Sequence, residues 1–270
     1  MILGNDISRY QGNIDFAKMK AAGSRFVYIR IGVGYTKDQN YEVNKAGAKA
    51  AGIPWGSYWL PWATSTTQKL LNTYFAMVGE DWGDIPPAID VETDGLGLGI
   101  FIMWAEQVAK AWLTTLPANV DHIRTLPTFY TRASHFDGYT NAKNIKQQLG
   151  KLTNLWDAHY TYDPINKPPN MPRDSWTDYL IHQYSADENS LGSKYGVSSK
   201  AIDMDYFNGD EALFAQWAGV EESTPDIPPV VNPPVSSDIE FRLAELEKWN
   251  VLTKKVLADN IEAWKTLAKE

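Results

Sequence analysis

The sequence predicts an α/β fold, an irregular (β/α) TIM-like barrel of about eight strands with fewer helices in its C-terminal part. Three observations predict it. Through roughly the first 210 residues, short apolar runs alternate with longer helical patterns, and such alternation implies parallel strands joined by crossover helices. The extended runs number eight, which suggests closure into a barrel. No GxGxxG or GxxxxGK[ST] loop follows the first run. That removes the usual nucleotide reasons for the alternative, an open doubly wound sheet.

Taken in order, residues 3–7 read as a strand and 14–22 as a helix. Residues 26–31 are a second strand, 41–51 a second helix and 55–59 a third strand. Both helices finish Lys-Ala-Ala-Gly, at Gly23 and Gly52, where a left-handed residue ends a helix before the chain turns back into the sheet. Helical patterns follow at 66–78, 100–113 and 142–149, with extended runs at 87–91 and 126–130. The last three runs, 155–160, 179–184 and 201–207, have little helix between them.

Composition narrows the function. Net charge is −8, and no basic stripe is visible, so nucleic acid is not an expected partner. There are no cysteines, which excludes disulfides and thiolate chemistry. The four histidines are scattered without ligand spacing, so neither a metal nor another cofactor is expected. No apolar stretch reaches membrane-spanning length. The opening Met1-Ile2-Leu3-Gly4-Asn5-Asp6 lacks the basic and apolar regions of a signal peptide. With 11 Trp, 14 Tyr and 9 Phe, the chain has rings enough to line a carbohydrate cleft, although a core rich in large side chains explains them as well.

Three domains are expected: a barrel over 1–218, a Pro-rich linker over 219–237 and a helix over 238–270. Five of the eleven residues 224–234 are proline, which favours an extended, semi-rigid segment. In the tail, Ile239, Leu243, Leu246, Asn250, Thr253, Leu257, Asn260, Trp264 and Leu267 form a 4-3 seam with six apolar positions. Such a seam suits self-association, docking on the barrel, or a protein partner.

Chemistry in a parallel barrel sits where strands end at their carboxyl side. Asp6 closes the first run, Asp90 and Glu92 the fourth, and Asp203 lies in the last. Residues i and i+2 of a strand share a face about 6–7 Å apart, so the carboxyls of Asp90 and Glu92 crowd and one of them rises in pKa. A protonated carboxyl beside an ionised one is what glycosidic cleavage requires. Closure of the barrel would bring Asp6 and Asp203 together. A divalent-cation site is the rival reading of the same acids, and it suits the aromatic flanks less well.

The opening Gly4-Asn5-Asp6-Ile7-Ser8-Arg9-Tyr10-Gln11-Gly12, with Ile14-Asp15-Phe16, resembles the GxDVSxxQGxIDW start of glycoside hydrolase family 25, the muramidases of phages, bacteria and fungi. The resemblance continues through Ala51-Gly52-Ile53-Pro54-Trp55-Gly56-Ser57-Tyr58-Trp59, Ile89-Asp90-Val91-Glu92, Leu155-Trp156-Asp157-Ala158-His159-Tyr160, His182-Gln183-Tyr184-Ser185 and Ile202-Asp203-Met204-Asp205-Tyr206-Phe207. It implies a lysozyme acting on peptidoglycan glycan strands at the β-1,4 bond between N-acetylmuramic acid and N-acetylglucosamine. Glu92 matches the general acid and Asp90 the residue that supports the intermediate, while Asp6 and Asp203 match the flanking aspartates. Tyr58, Trp59, Tyr130, Trp156 and Tyr184 fall in segments that form aromatic walls. Asp205 and Asp157 depart from the family pattern, and each is expected to add acidity near the cleft. The glycine-rich loop 94–99 is expected to move over substrate. The family reading places the protein at the bacterial cell wall, held in a host cytoplasm until holin-type release or carried on a virion. The alternatives are a module that grips peptidoglycan with little catalysis, as in a virion, and a glycosidase for another N-acetylated polymer such as chitin.

Overall fold

The computed structural model describes residues 1–62, 67–93, 95–96, 98–118, 120–139, 142–186 and 191–221. The chain divides into two compact units, Met1–Ser223 and Thr224–Glu270. The second unit, and with it the expected helix and all but the first three positions of the expected linker, lies outside the described residues.

The first unit is a closed eight-stranded barrel. Its strands are β1 (Ile2–Ile7), β2 (Ser24–Val33), β4 (Trp55–Leu60), β5 (Ala88–Val91), β6 (Thr128–Thr131), β7 (Asn154–Ala158), β8 (Ile181–Ser185) and β9 (Met204–Phe207). A two-residue β3 (Thr36–Lys37) hangs on the end of β2. The sheet runs β1-β9-β8-β7-β6-β5-β4-β2, and pairing of β1 with β2 closes it. Each of the eight extended runs read in the sequence corresponds to one barrel strand.

Direction is where the expectation of a wholly parallel sheet fails. β9 runs antiparallel to both β8 and β1. A parallel return needs a crossover to carry the chain back to the far end, and the described residues between β8 and β9 contain no helix. The chain therefore re-enters from the mouth and runs down. Asp203 thus immediately precedes the last strand instead of lying late in it, yet it still arrives at the mouth.

The helices α1 (Phe16–Ala21), α2 (Tyr41–Ala51), α3 (Thr67–Val78), α4 (Leu98–Leu113), α5 (His122–Thr125), α6 (Ala133–Tyr139) and α7 (Lys143–Leu152) occur between strands. Helix α1 starts later than the apolar pattern suggested because Asp15 caps it, its side chain accepting from the Lys18 N–H at 3.0 Å. Helix α2 ends at Gly52 in the left-handed conformation, φ 61°, as the Lys-Ala-Ala-Gly stop implied. Helix α4 begins at Leu98, inside the segment expected to be a loop. The sequence reading missed α8 (Glu211–Ala218), although Asp210 caps its start and left-handed Gly219 its end.

Alternation along the strands separates two cores. Outward residues such as Val27, Ile29, Trp55, Trp59, Ile89, Val91, Phe129 and Leu155 join Tyr74, Phe101 and Trp104 in a layer under the helices. Inward residues fill the lumen with Ile2, Phe26, Tyr28, Tyr58, Ala88, Tyr130, Trp156 and Phe207, joined by Phe214 and Trp217 from α8. Gly4 leaves space for this filling: a Cβ there would lie 2.3 Å from Phe26 Cζ.

Candidate active site

Because strand residues alternate, each strand carries its inward set upward through the lumen: Ile2, Gly4 and Asp6 on β1, Phe26, Tyr28 and Arg30 on β2, Ala88 and Asp90 on β5. Glu92 follows the end of β5 on the same side. At the mouth Asp6, Arg30, Asp90 and Glu92 line a cleft of about 200 Å³ with Tyr58, Tyr130, Trp156, Tyr160, Gln183 and Asp203. The four acids singled out in the sequence, from three distant segments, are therefore brought together. The β1–β9 register pairs Gly4 with Asp205, which sets Asp203 beside Asp6 two positions on. Asn5, pointing outward, holds that approach through Nδ2 donating to the Asp203 carbonyl at 2.9 Å.

Burial divides the acids. Asp6 and Asp90 are each only 6% exposed, whereas Glu92 stands exposed at the rim. Asp90 has its carboxyl pushed well above the usual range, first by desolvation and then by the charge of Glu92, with Arg30 opposing. Asp6 is raised by burial and by Asp203 and Asp205, against the Gln183 hydrogen bond.

The floor is one connected arrangement. Trp156 stacks on Tyr28 with centroids 4.6 Å apart, and Tyr130 meets its ring edge-on at 4.8 Å. Its indole N–H donates to Asp205 Oδ1 at 2.9 Å. Gln183 Nε2 donates to Asp6 Oδ2 at 2.7 Å, while its Oε1 accepts from the Tyr130 hydroxyl at 2.9 Å. Gln183 and Arg30 were not singled out in the sequence. The alternation rule finds both, since Arg30 lies two after lumen-filling Tyr28 and Gln183 two after Ile181.

The same rule corrects three expectations, and depth corrects a fourth. Trp59 follows inward Tyr58 and so faces out. It is fully buried under α3, 5.3 Å from the Tyr74 ring, with Nε1 donating to the Gly34 carbonyl at 3.0 Å. Tyr184 follows inward Gln183 and packs against the outer layer beside His182. Neither lines the cleft. Asp157 likewise faces out, buried, with its carboxyl pushed up to about 7 by desolvation. It adds no acidity to the cleft. Asp205 does face inward, but beneath the cleft and fully buried; burial raises its carboxyl, with Trp156 opposing.

No group of three or more His, Asp or Glu side chains among the described residues is arranged to hold a metal ion. No helix among them is long and apolar enough to cross a membrane. The chemistry available is that of carboxyl groups over an aromatic floor.

Comparison with known proteins agrees with this geometry. Residues 5–193 match the model of glycosyl hydrolases family 25. The chain is 28% identical over 218 residues to lysozyme M1 of Streptomyces globisporus, covering 78% of this chain and 69% of that protein. It is also 28% identical over 200 residues to the N,O-diacetylmuramidase of a Chalaropsis species, covering 70% of this chain and 93% of the relative. Among solved structures, a muramidase from Acremonium alcalophilum superposes with a TM-score of 0.58 at 25% identity, over 81% of this chain and all of that one. The bacterial lysozyme from Streptomyces coelicolor gives 0.62 at 23% identity, over 82% and 98%.

Proposed function

The chain belongs to glycosyl hydrolases family 25, and on that premise we propose that this glycoside hydrolase cleaves the β-1,4 bond between N-acetylmuramic acid and N-acetylglucosamine, with Glu92 as general acid and Asp90 assisting. The observation that carries the proposal is the convergence of Glu92, Asp90, Asp6 and Asp203 on one cleft floored by Trp156.

In this reading Glu92, at the open rim, reaches the glycosidic oxygen and delivers its proton as the C–O bond breaks. Asp90, deeper and buried, faces the positive charge that develops at the anomeric carbon. It either attacks that carbon or orients the substrate's acetamide to do so. Water then adds to the anomeric carbon and returns a proton to Glu92. The productive state has Glu92 protonated and Asp90 ionised. Desolvation and the Glu92 charge raise the Asp90 carboxyl and so work against that state, and Arg30 is the charge that opposes them. Asp6 and Asp203 flank the bond, Asp6 being fixed by Gln183.

Digestion of defined peptidoglycan, followed by mass spectrometry of borohydride-reduced products, tests the bond assignment. Reduced muramic acid ends are expected; reduced glucosamine ends would defeat it. A non-catalytic wall-binding module would bind walls without clearing a suspension of them, and an enzyme for chitin would release products from soluble chitin oligomers instead.

A further inference from the structure

Beside the acidic cleft lies a second cavity of about 260 Å³, lined by Arg9, Tyr10, Lys37 and Trp62 and sharing Arg30 with the cleft. Its charge is opposite to that of the whole chain, which carries −8. Asp38, the one acid lining it, is already neutralised: Oδ2 takes Arg30 Nε at 2.9 Å and the Arg9 backbone N–H at 3.2 Å, and Oδ1 takes the Asn40 N–H at 3.0 Å. Lys37 is paired with Glu42 at 2.6 Å. Arg9 is different. Among the described residues its guanidinium has no carboxylate within 4.0 Å, and its one side-chain hydrogen bond goes to the Tyr10 hydroxyl at 3.1 Å.

The rings here are equally unusual. Tyr10 is 66% exposed and Trp62 50%, whereas the other tryptophans among the described residues are buried. Arg9 and Arg30 lie over the Tyr10 ring at 5.0 and 4.9 Å. The backbone beneath is fixed, since Ser8 and Gln11 cap the short turn Arg9–Gln11 reciprocally. Arg9 and Tyr10 occupy two of the four positions that the opening motif leaves open. Pre-set cation and ring together suit a sugar whose apolar face lies on an aromatic plane and which carries an anion on a side branch.

We propose that this cavity binds a muramic acid residue through its stem peptide, the sugar lying on Tyr10 and Trp62 and a stem-peptide carboxylate pairing with Arg9. The proposal rests on the acidic cleft being the place of cleavage, because the two cavities adjoin at Arg30, which lines both. It makes cleavage depend on the charge of the stem peptide.

The test compares kcat/KM on teichoic-acid-free peptidoglycan strands before and after their carboxylates are converted to amides with carbodiimide and ammonia. The wild-type protein is expected to prefer the untreated strands roughly fivefold, the order of one partly exposed charge-assisted contact. In Arg9→Gln the ratio falls to about 1, and raised salt lowers it in the wild type. Arg9 is exposed, so the variant is expected to fold, with circular dichroism as the check. A wild-type ratio near 1, or the same ratio in both proteins, overturns the proposal. A preference that instead follows retained teichoic acid makes the recognised anion a phosphate and also overturns it. If the folded wild type cleaves neither strand, the reading of the acidic cleft has failed instead.

Discussion

The lower end of the barrel lumen is filled by Ile2, Phe26, Ala88 and Phe207, with Phe214 and Trp217 of α8 closing it. Four residues on along β1, β2 and the segment continuing β5, and four back from Phe207, the same chain presents Asp6, Arg30, Glu92 and Asp203. Below, rings interlock: Trp217 lies 5.3 Å from Phe26 and 5.0 Å from Phe207. Above, the carboxyls of Asp6 and Asp90 are held out of water. One end gains free energy by burying apolar area, and the other loses it by desolvating acids. The comparison teaches that the site is an unfavourable arrangement held by the packed end of the same strands.

Four changes sharpen or break that comparison, and the largest effect belongs to the mouth. Glu92→Gln is expected to cut muropeptide release by about 10²–10⁴-fold, the usual contribution of a general acid, with the thermal midpoint little changed because Glu92 is exposed. Full activity in that variant would end the assignment. At the packed end, Trp217→Ala removes a fully buried ring and is expected to cost about 3–5 kcal/mol, read by urea unfolding. A loss below about 1 kcal/mol would mean that α8 does not carry the lower core.

The third change moves the mouth toward the chemistry of the floor. Asp205→Asn keeps an acceptor for the Trp156 N–H, now 2.9 Å from Oδ1, and supplies an amide donor while removing a buried charge. We expect a gain of about 1–3 kcal/mol at pH 8, roughly 2–12 °C for a domain of this size. The gain should shrink as pH falls, because burial raises the Asp205 carboxyl and favours its protonated form. A loss of stability at pH 8 would contradict the account.

The smallest effect is the pH dependence of the unmodified protein. The carboxyls of Asp6, Asp90 and Asp205 are raised in the folded state, and Asp157 titrates near 7. A raised folded value gives stability that is present below the unfolded value, about 3.9, and lost as pH rises through the folded one. The melting temperature should therefore rise as pH falls from 8 toward 5. Below about 4 the trend reverses, because Asp137, whose desolvation is outweighed by Lys146 and Arg173, is lowered and loses its pairing on protonation. A midpoint that climbs steadily from pH 5 to 8 would refute this ordering.

Much of the fold was legible because apolar alternation and glycine stops are local signals. Helix α2 and its cap at Gly52 follow directly from Lys49-Ala50-Ala51-Gly52. The pairing of Asp90 with Glu92 on one side follows from the two-residue period, and the same period, applied to Tyr58, would have turned Trp59 away from the cleft. What hid α8 was its brevity, eight residues after a strand, too short for a periodic pattern to stand out.

The sequence by itself determined the eight strands, the acidic pair at the end of β5 and the family to which the chain belongs, since each is written in local spacing or in an ordered set of motifs. Tertiary structure alone decided that β9 runs downward, that Asp203 meets Asp6 from the other end of the barrel sequence, and that Asp205 lies buried under Trp156 while Asp157 faces the helices. Those outcomes depend on how the sheet closes and on which face of each strand meets the lumen. Closure is a property of all eight strands at once, so no short stretch of sequence encodes it.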